Sequence, residues 1–225
     1  TLRTNLYTHL DYMKIDYNNE DNAEIEIVVV TKPSETSPYE INVKNAIDLT
    51  IKKYGKIDVL INNAGMFSFC DILNTPTERI ERTILLHDMT TTKMCRIYAD
   101  DMAKRGGGYI LNMSSYSIWM PWPGLSLYSA SKAYLKSFSV AFAKEVRDKK
   151  VYVTAVCPAG IATDLYGLSK KWQKIGLNIH ALSTPKFCAR RGLNRMFKRR
   201  RTVVPDWWMR LLSPLLENLP MFILR

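Results

Sequence analysis

Residues 56–65, KIDVLINNAG, set a short unbroken apolar run, Val59 to Ile61, between a charged lead-in and a small, polar exit. A run that brief and continuous, closed by turn residues, reads as a strand buried on both faces of a parallel sheet. The exit suits a sharp turn, because Asn and Gly adopt left-handed backbone at little cost.

Outward from that strand, β-rich runs alternate with helical patterns, which argues for a parallel α/β sheet. Downstream come a helical stretch near Thr77–Lys104, a turn at Gly106–Gly108, a strand YILNMSS (109–115), a helix over about 128–148 and a strand VYVTAVCPAG (151–160). The three glycines open a strand and not a helix, so they are a turn and not a phosphate cradle. Upstream lie an amphipathic helix over 43–54, a Pro/Ser-rich loop KPSETSP and two runs, HLDYMKID (9–16) and IEIVVV (25–30). Only eight residues separate Asp16 from Ile25. A parallel crossover needs about a dozen or more, so these runs are expected to pair as an antiparallel hairpin. Ile25–Val30 is expected beside the Val59–Asn62 strand.

The chain has 225 residues and is 47% hydrophobic, enough for one domain with a substantial core. Cys70, Cys95, Cys157 and Cys188 form no C-x-x-C pair. They indicate neither a zinc site nor a disulfide framework, and they read as buried thiols in a reducing, cytoplasmic compartment. The sequence shows neither a secretory signal nor an apolar run of about 18 residues. The net charge is +11, and Lys186–Arg201 holds eight Lys or Arg residues without an acid. That run is either a solvated face or a patch for an acidic carrier, coenzyme phosphates or anionic lipid. No nucleic-acid-binding motif accompanies it.

In an open parallel sheet, ligands bind beyond the carboxyl ends of the strands, where NNAG (62–65), NMSS (112–115) and CPAG (157–160) converge. With YSASK (128–132), and CPAG extended to CPAGIAT (157–163), these motifs in this order and spacing resemble the short-chain dehydrogenase/reductases. The resemblance covers Lys56–Thr163 and, more loosely, the tail. It implies a Rossmann-type doubly wound sheet, NAD or NADP as cofactor, and hydride exchange with a small-molecule carbonyl or alcohol.

The chemistry can be argued from the residues. Hydride addition to a carbonyl builds negative charge on oxygen, which must then receive a proton from a positioned acid. Tyr128 and Lys132 stand four apart, on one helical face, and a lysine cation is expected to lower the phenol's pKa. The resemblance makes Tyr128 the acid/base and has Lys132 also hold the nicotinamide ribose. It gives Ser115, 13 residues before the tyrosine, the polarising hydroxyl in preference to Ser114. It puts Asn62, Ala64 and Gly65 beside the adenosine ribose, Ile161 and Thr163 at the nicotinamide carboxamide, and Asp16 at the adenine. Ordinary readings exist for each: Tyr128 and Lys132 as a helix pair, Ser115 and Thr163 as caps.

Three departures stand beside the matches. His87 occupies the place of an asparagine that supports a water chain to the lysine; it is either a proton relay or a buried structural histidine. The glycine-rich turn of the family is nowhere in the 225 residues, and the start reads as the end of the second helix and the third strand, so the chain is either trimmed or a remnant. Residues 22–44 read as an insertion.

Residues 164–200 read as a substrate-covering and basic region whose Leu, Tyr and Trp suit an apolar, fatty-acyl or steroid-like ligand. Residues 205–225 are an apolar tail with Trp207 and Trp208 beside the basic run, which suits a membrane surface, packing on the domain, or a homo-oligomer. The rival expectation is a non-catalytic interaction protein that inherited these motifs.

Overall fold

The computed structural model describes residues 27–28, 52, 55–120, 122–206, 208, 209 and 211. The run 9–16, the helix 43–54 apart from Lys52, Asp16 and most of the 22–44 segment lie outside the described residues, as does the expected hairpin.

Among the described residues, five strands form one all-parallel sheet in chain order: β1 (Ile27–Val28), β2 (Val59–Asn62), β3 (Gly108–Met113), β4 (Val151–Val156) and β5 (Thr202–Val203). As expected, Ile27 and Val28 lie beside Val59 and Leu60, in parallel register. The apolar run at 59–61 is buried throughout. β3 pairs with both neighbours along its length, Asn62 with Asn112 and Asn112 with Ala155.

Side-chain alternation splits the core into two layers. On one face, Leu60, Ile110, Val151 and Val153 pack with Ile57 against α2 (Thr91–Lys104) and the end of α3 (Ser126–Glu145). α2 contributes Met94, Cys95, Tyr98, Ala99 and Met102, all buried and recurring at helical spacing. On the other face, Val59, Ile61, Leu111, Val156 and Val203 pack against Cys188, Leu193 and Met196 of α5 (Pro185–Phe197). A fully buried Leu or Ile side chain stabilises by about 1.5–3 kcal/mol.

The expected helix over 77–104 is present, but it has an internal feature. α1 (Thr77–Ile84) runs into a wide π-turn, Leu85–Thr90, before α2. The glycine turn behaves as read: Gly106 and Gly107 have positive φ, and a Cβ on Gly108 would come within 2.6 Å of Met102. After β4, a short helical turn (Asp164–Tyr166) and α4 (Lys170–Asn178) precede α5. No helix among the described residues is long and apolar enough to cross a membrane.

Candidate active site

The carboxyl ends of β2, β3 and β4 deliver three loops to one edge, and α3 lies beside them. Beyond β3, Ser115 has extended backbone and caps the turn Tyr116–Trp119, its hydroxyl accepting the Ser117 N–H at 3.1 Å. The same hydroxyl faces the phenol of Tyr128 and works to lower its pKa. Ser114 is committed elsewhere: its Oγ donates to the Lys132 carbonyl at 2.6 Å. The preference for Ser115 thus acquires a geometric basis, because Ser114 ties β3 to α3.

Tyr128 and Lys132 are one turn apart on α3, 5% and 4% exposed. The Lys132 ammonium donates to the Met113 carbonyl at 3.0 Å and lies 5.8 Å from the centre of the Tyr128 ring. The expectation that Lys132 lowers the phenol's pKa is overturned. Burial pushes Tyr128 up to about 12, and nearby Tyr166 adds to the rise, against the Ser115 hydroxyl. Burial also brings Lys132 down to about 8, opposed by Asp88 and then Cys157. Desolvation is the largest cause for both groups.

His87 sits in the π-turn with no exposed surface, and both ring nitrogens are engaged. Nε2 accepts the Met66 backbone N–H at 2.9 Å, so the ring proton belongs on Nδ1, which lies 2.8 Å from Ser131 Oγ. Ser131 in turn donates to the Tyr128 carbonyl at 2.8 Å. The ring is neutral: burial, then Lys132, lowers its pKa to about 3. This geometry fits the structural reading of His87 and leaves no free proton for a relay. It pins the turn after β2 onto the helix that carries Tyr128.

That pinning brings Gly65 close. A Cβ there would stand 3.2 Å from both His87 Nε2 and Lys132 Nζ. The turn lies close over the lysine, and a side chain at Gly65 would crowd both groups. Ala64 lines the turn, half-buried. The Asn62 side chain points away from that role, donating to Asn112 Oδ1 at 2.7 Å, while Asn112 donates to Ser139 at 2.8 Å. This buried ladder joins β2, β3 and α3. Thr163 caps the next turn as expected, and Ile161 bridges to Ser183. Among the described residues no group of three or more His, Cys, Asp or Glu could hold a metal ion, and all four cysteines are free.

The family model for short chain dehydrogenases matches residues 21–174. The chain belongs to the short-chain dehydrogenase family. A Thermotoga maritima oxidoreductase is 34% identical over 139 residues, which are 61% of this chain and 52% of that protein. A 3-oxoacyl-[acyl-carrier-protein] reductase of Synechocystis is 32% identical over 160 residues, 67% of this chain and 64% of its own. In both, the match spans less than two thirds of the relative's length. The short-chain dehydrogenase of Sphingobium yanoikuyae, solved with NADPH, superposes with a TM-score of 0.64 at 24% identity, covering 80% of this chain and 72% of that one. That likeness is one of fold.

Sequence reasoning missed Phe67, which walls the short-chain dehydrogenase site together with Tyr166, the tyrosine of the substrate-covering region. The Phe67 ring stands edge-on to Tyr128 at 5.0 Å and to Tyr166 at 4.9 Å. The Tyr166 phenol takes the Ile161 backbone N–H. An aromatic residue just past NNAG was the available signal. Ser131 gave none, since its partner lies 44 residues away in sequence.

Proposed function

We propose that this chain interconverts a carbonyl and a secondary alcohol with NAD or NADP, on an apolar substrate of the fatty-acyl or steroid-like kind. The observation that carries the reading is the meeting of Ser115, Tyr128 and Lys132 at the carboxyl edge of the sheet, beneath the closely packed Gly65 turn. By family likeness Lys132 would hold the nicotinamide ribose, with Ile161 and Thr163 at the carboxamide and the Ala64–Gly65 turn beside the adenosine ribose. When bound, the nicotinamide gives or takes the hydride.

The protein's own part is proton management. Ser115 directs a hydrogen bond at the substrate oxygen and polarises it. Tyr128, held protonated by its apolar walls, is a proton donor at neutral pH, and this suits carbonyl reduction. Lys132 offsets the negative charge left on the phenol. His87 is a positioning residue here, fixing the turn and not passing a proton. The acyl reductase of Synechocystis supports an apolar substrate. A cytoplasmic, reducing setting suits the free thiols.

The test is binding of NADH and NADPH to the chain, followed by nicotinamide fluorescence, then turnover of a 3-oxoacyl thioester. Saturable binding of either is expected. Failure of a folded chain to bind both removes the reading.

A further inference from the structure

The net charge of the molecule comes from one segment. Between Asp164 and Asp206 lie 11 of the 32 Lys and Arg residues and no acid, leaving 21 basic residues to balance the 21 acids elsewhere. Within that segment α4 has two faces. Its inner face is seated: Gln173 and Gly176 are buried, Gln173 donates to Asp164 and to the Leu168 carbonyl, and Gly176 lies so close to Leu182 that a Cβ would meet it at 2.6 Å. Its outer face is apolar and open. Trp172, Ile175 and Ile179 fall at i, i+3 and i+7, one stripe along the helix and its C-terminal end. Trp172 is 61% exposed, Ile175 36% and Ile179 68%.

Exposed Lys171 and Lys174 flank that stripe, whereas Lys170 is paired with Asp164 at 2.7 Å. A tryptophan and branched aliphatics outward, lysines alongside and no acid is the composition of a helix that lies in an interface, its apolar side chains in the acyl boundary and its lysines at the headgroups. A second copy is a poorer occupant, because the same acid-free segment would face itself with like charge. We propose that α4 is a docking surface for an anionic bilayer, with Trp172 and Ile179 as anchors. The proposal goes beyond the catalytic reading and does not depend on it.

Co-sedimentation of the full chain with phosphatidylcholine vesicles, with and without phosphatidylserine, tests it. Partition onto the anionic vesicles is expected, weakening as salt rises. Trp172→Ala and Ile179→Ser, checked for folding by circular dichroism, are each expected to weaken partition by about tenfold. Lys171→Gln and Lys174→Gln are each expected to weaken it about fivefold. No partition of the folded wild type overturns the proposal. So does a loss confined to the Arg199→Gln, Arg200→Gln, Arg201→Gln triple variant or to Trp207→Ala with Trp208→Ala, which would move the contact to the basic turn or the tail. Equal binding to a soluble polyanion such as heparin, indifferent to Trp172, would replace the bilayer by polyanion binding, and a dimer in solution broken by Trp172→Ala would replace it by a second copy.

Discussion

Tyr128 shows what spacing can and cannot tell. The i, i+4 relation to Lys132 was legible in YSASK, and the structure delivers it. The direction of the phenol's shift was not, because it depends on burial and then on Tyr166, neither of which a helix repeat contains. Two neighbouring serines separate chemistry from architecture. Tyr128→Phe keeps the packing and removes the donor, so turnover of a ketone is expected to fall by about 10²–10⁴-fold, the usual worth of a positioned acid. Ser114→Ala instead loses the bond to the Lys132 carbonyl and is expected to cost about 1 kcal/mol or more of stability, read by urea denaturation, while the nicotinamide still binds.

At the level of elements, the strands around NNAG, NMSS and CPAG and the helices between them were readable from period and turn residues. The π-turn was not: a single widened turn has no sequence signature, and its histidine is explained only by partners 21 and 44 residues away. That turn has a pH consequence. The His87 pKa is near 6.5 in an unfolded chain and about 3 in the fold, so below pH 6.5 the unfolded state takes up a proton that the native state refuses. The associated stability is complete above pH 6.5 and is lost as pH falls toward 3, at up to about 1.4 kcal/mol per pH unit. His87→Asn has no such titration. Its stability, followed by urea midpoints across this range, is expected to fall less steeply with acid than the wild type's, and equal slopes would show that the buried imidazole does not matter to acid stability.

Across the whole molecule, the two core layers meet at β3, whose Ile110 and Leu111 point to opposite sides. Ile110→Ala is expected to cost about 2–5 kcal/mol, because a fully buried side chain leaves a cavity that the sheet cannot close. A urea midpoint close to the wild type's would contradict that. The layered architecture was visible in the sequence as alternating runs, and Ile27 and Val28, of the run expected beside β2, do lie there. The two-faced nature of α4 was not visible, because an apolar stripe in a sequence reads as core until its inner face is found elsewhere. The confinement of all net charge to residues 165–205 also makes the molecule a permanent electric dipole. Near any negatively charged solid, a cation-exchange bead or a mica sheet, it should turn before it touches and settle in one preferred pose. It should elute from such a column later than a protein of equal net charge spread evenly, since retention follows the density of the adsorbing side and not the total.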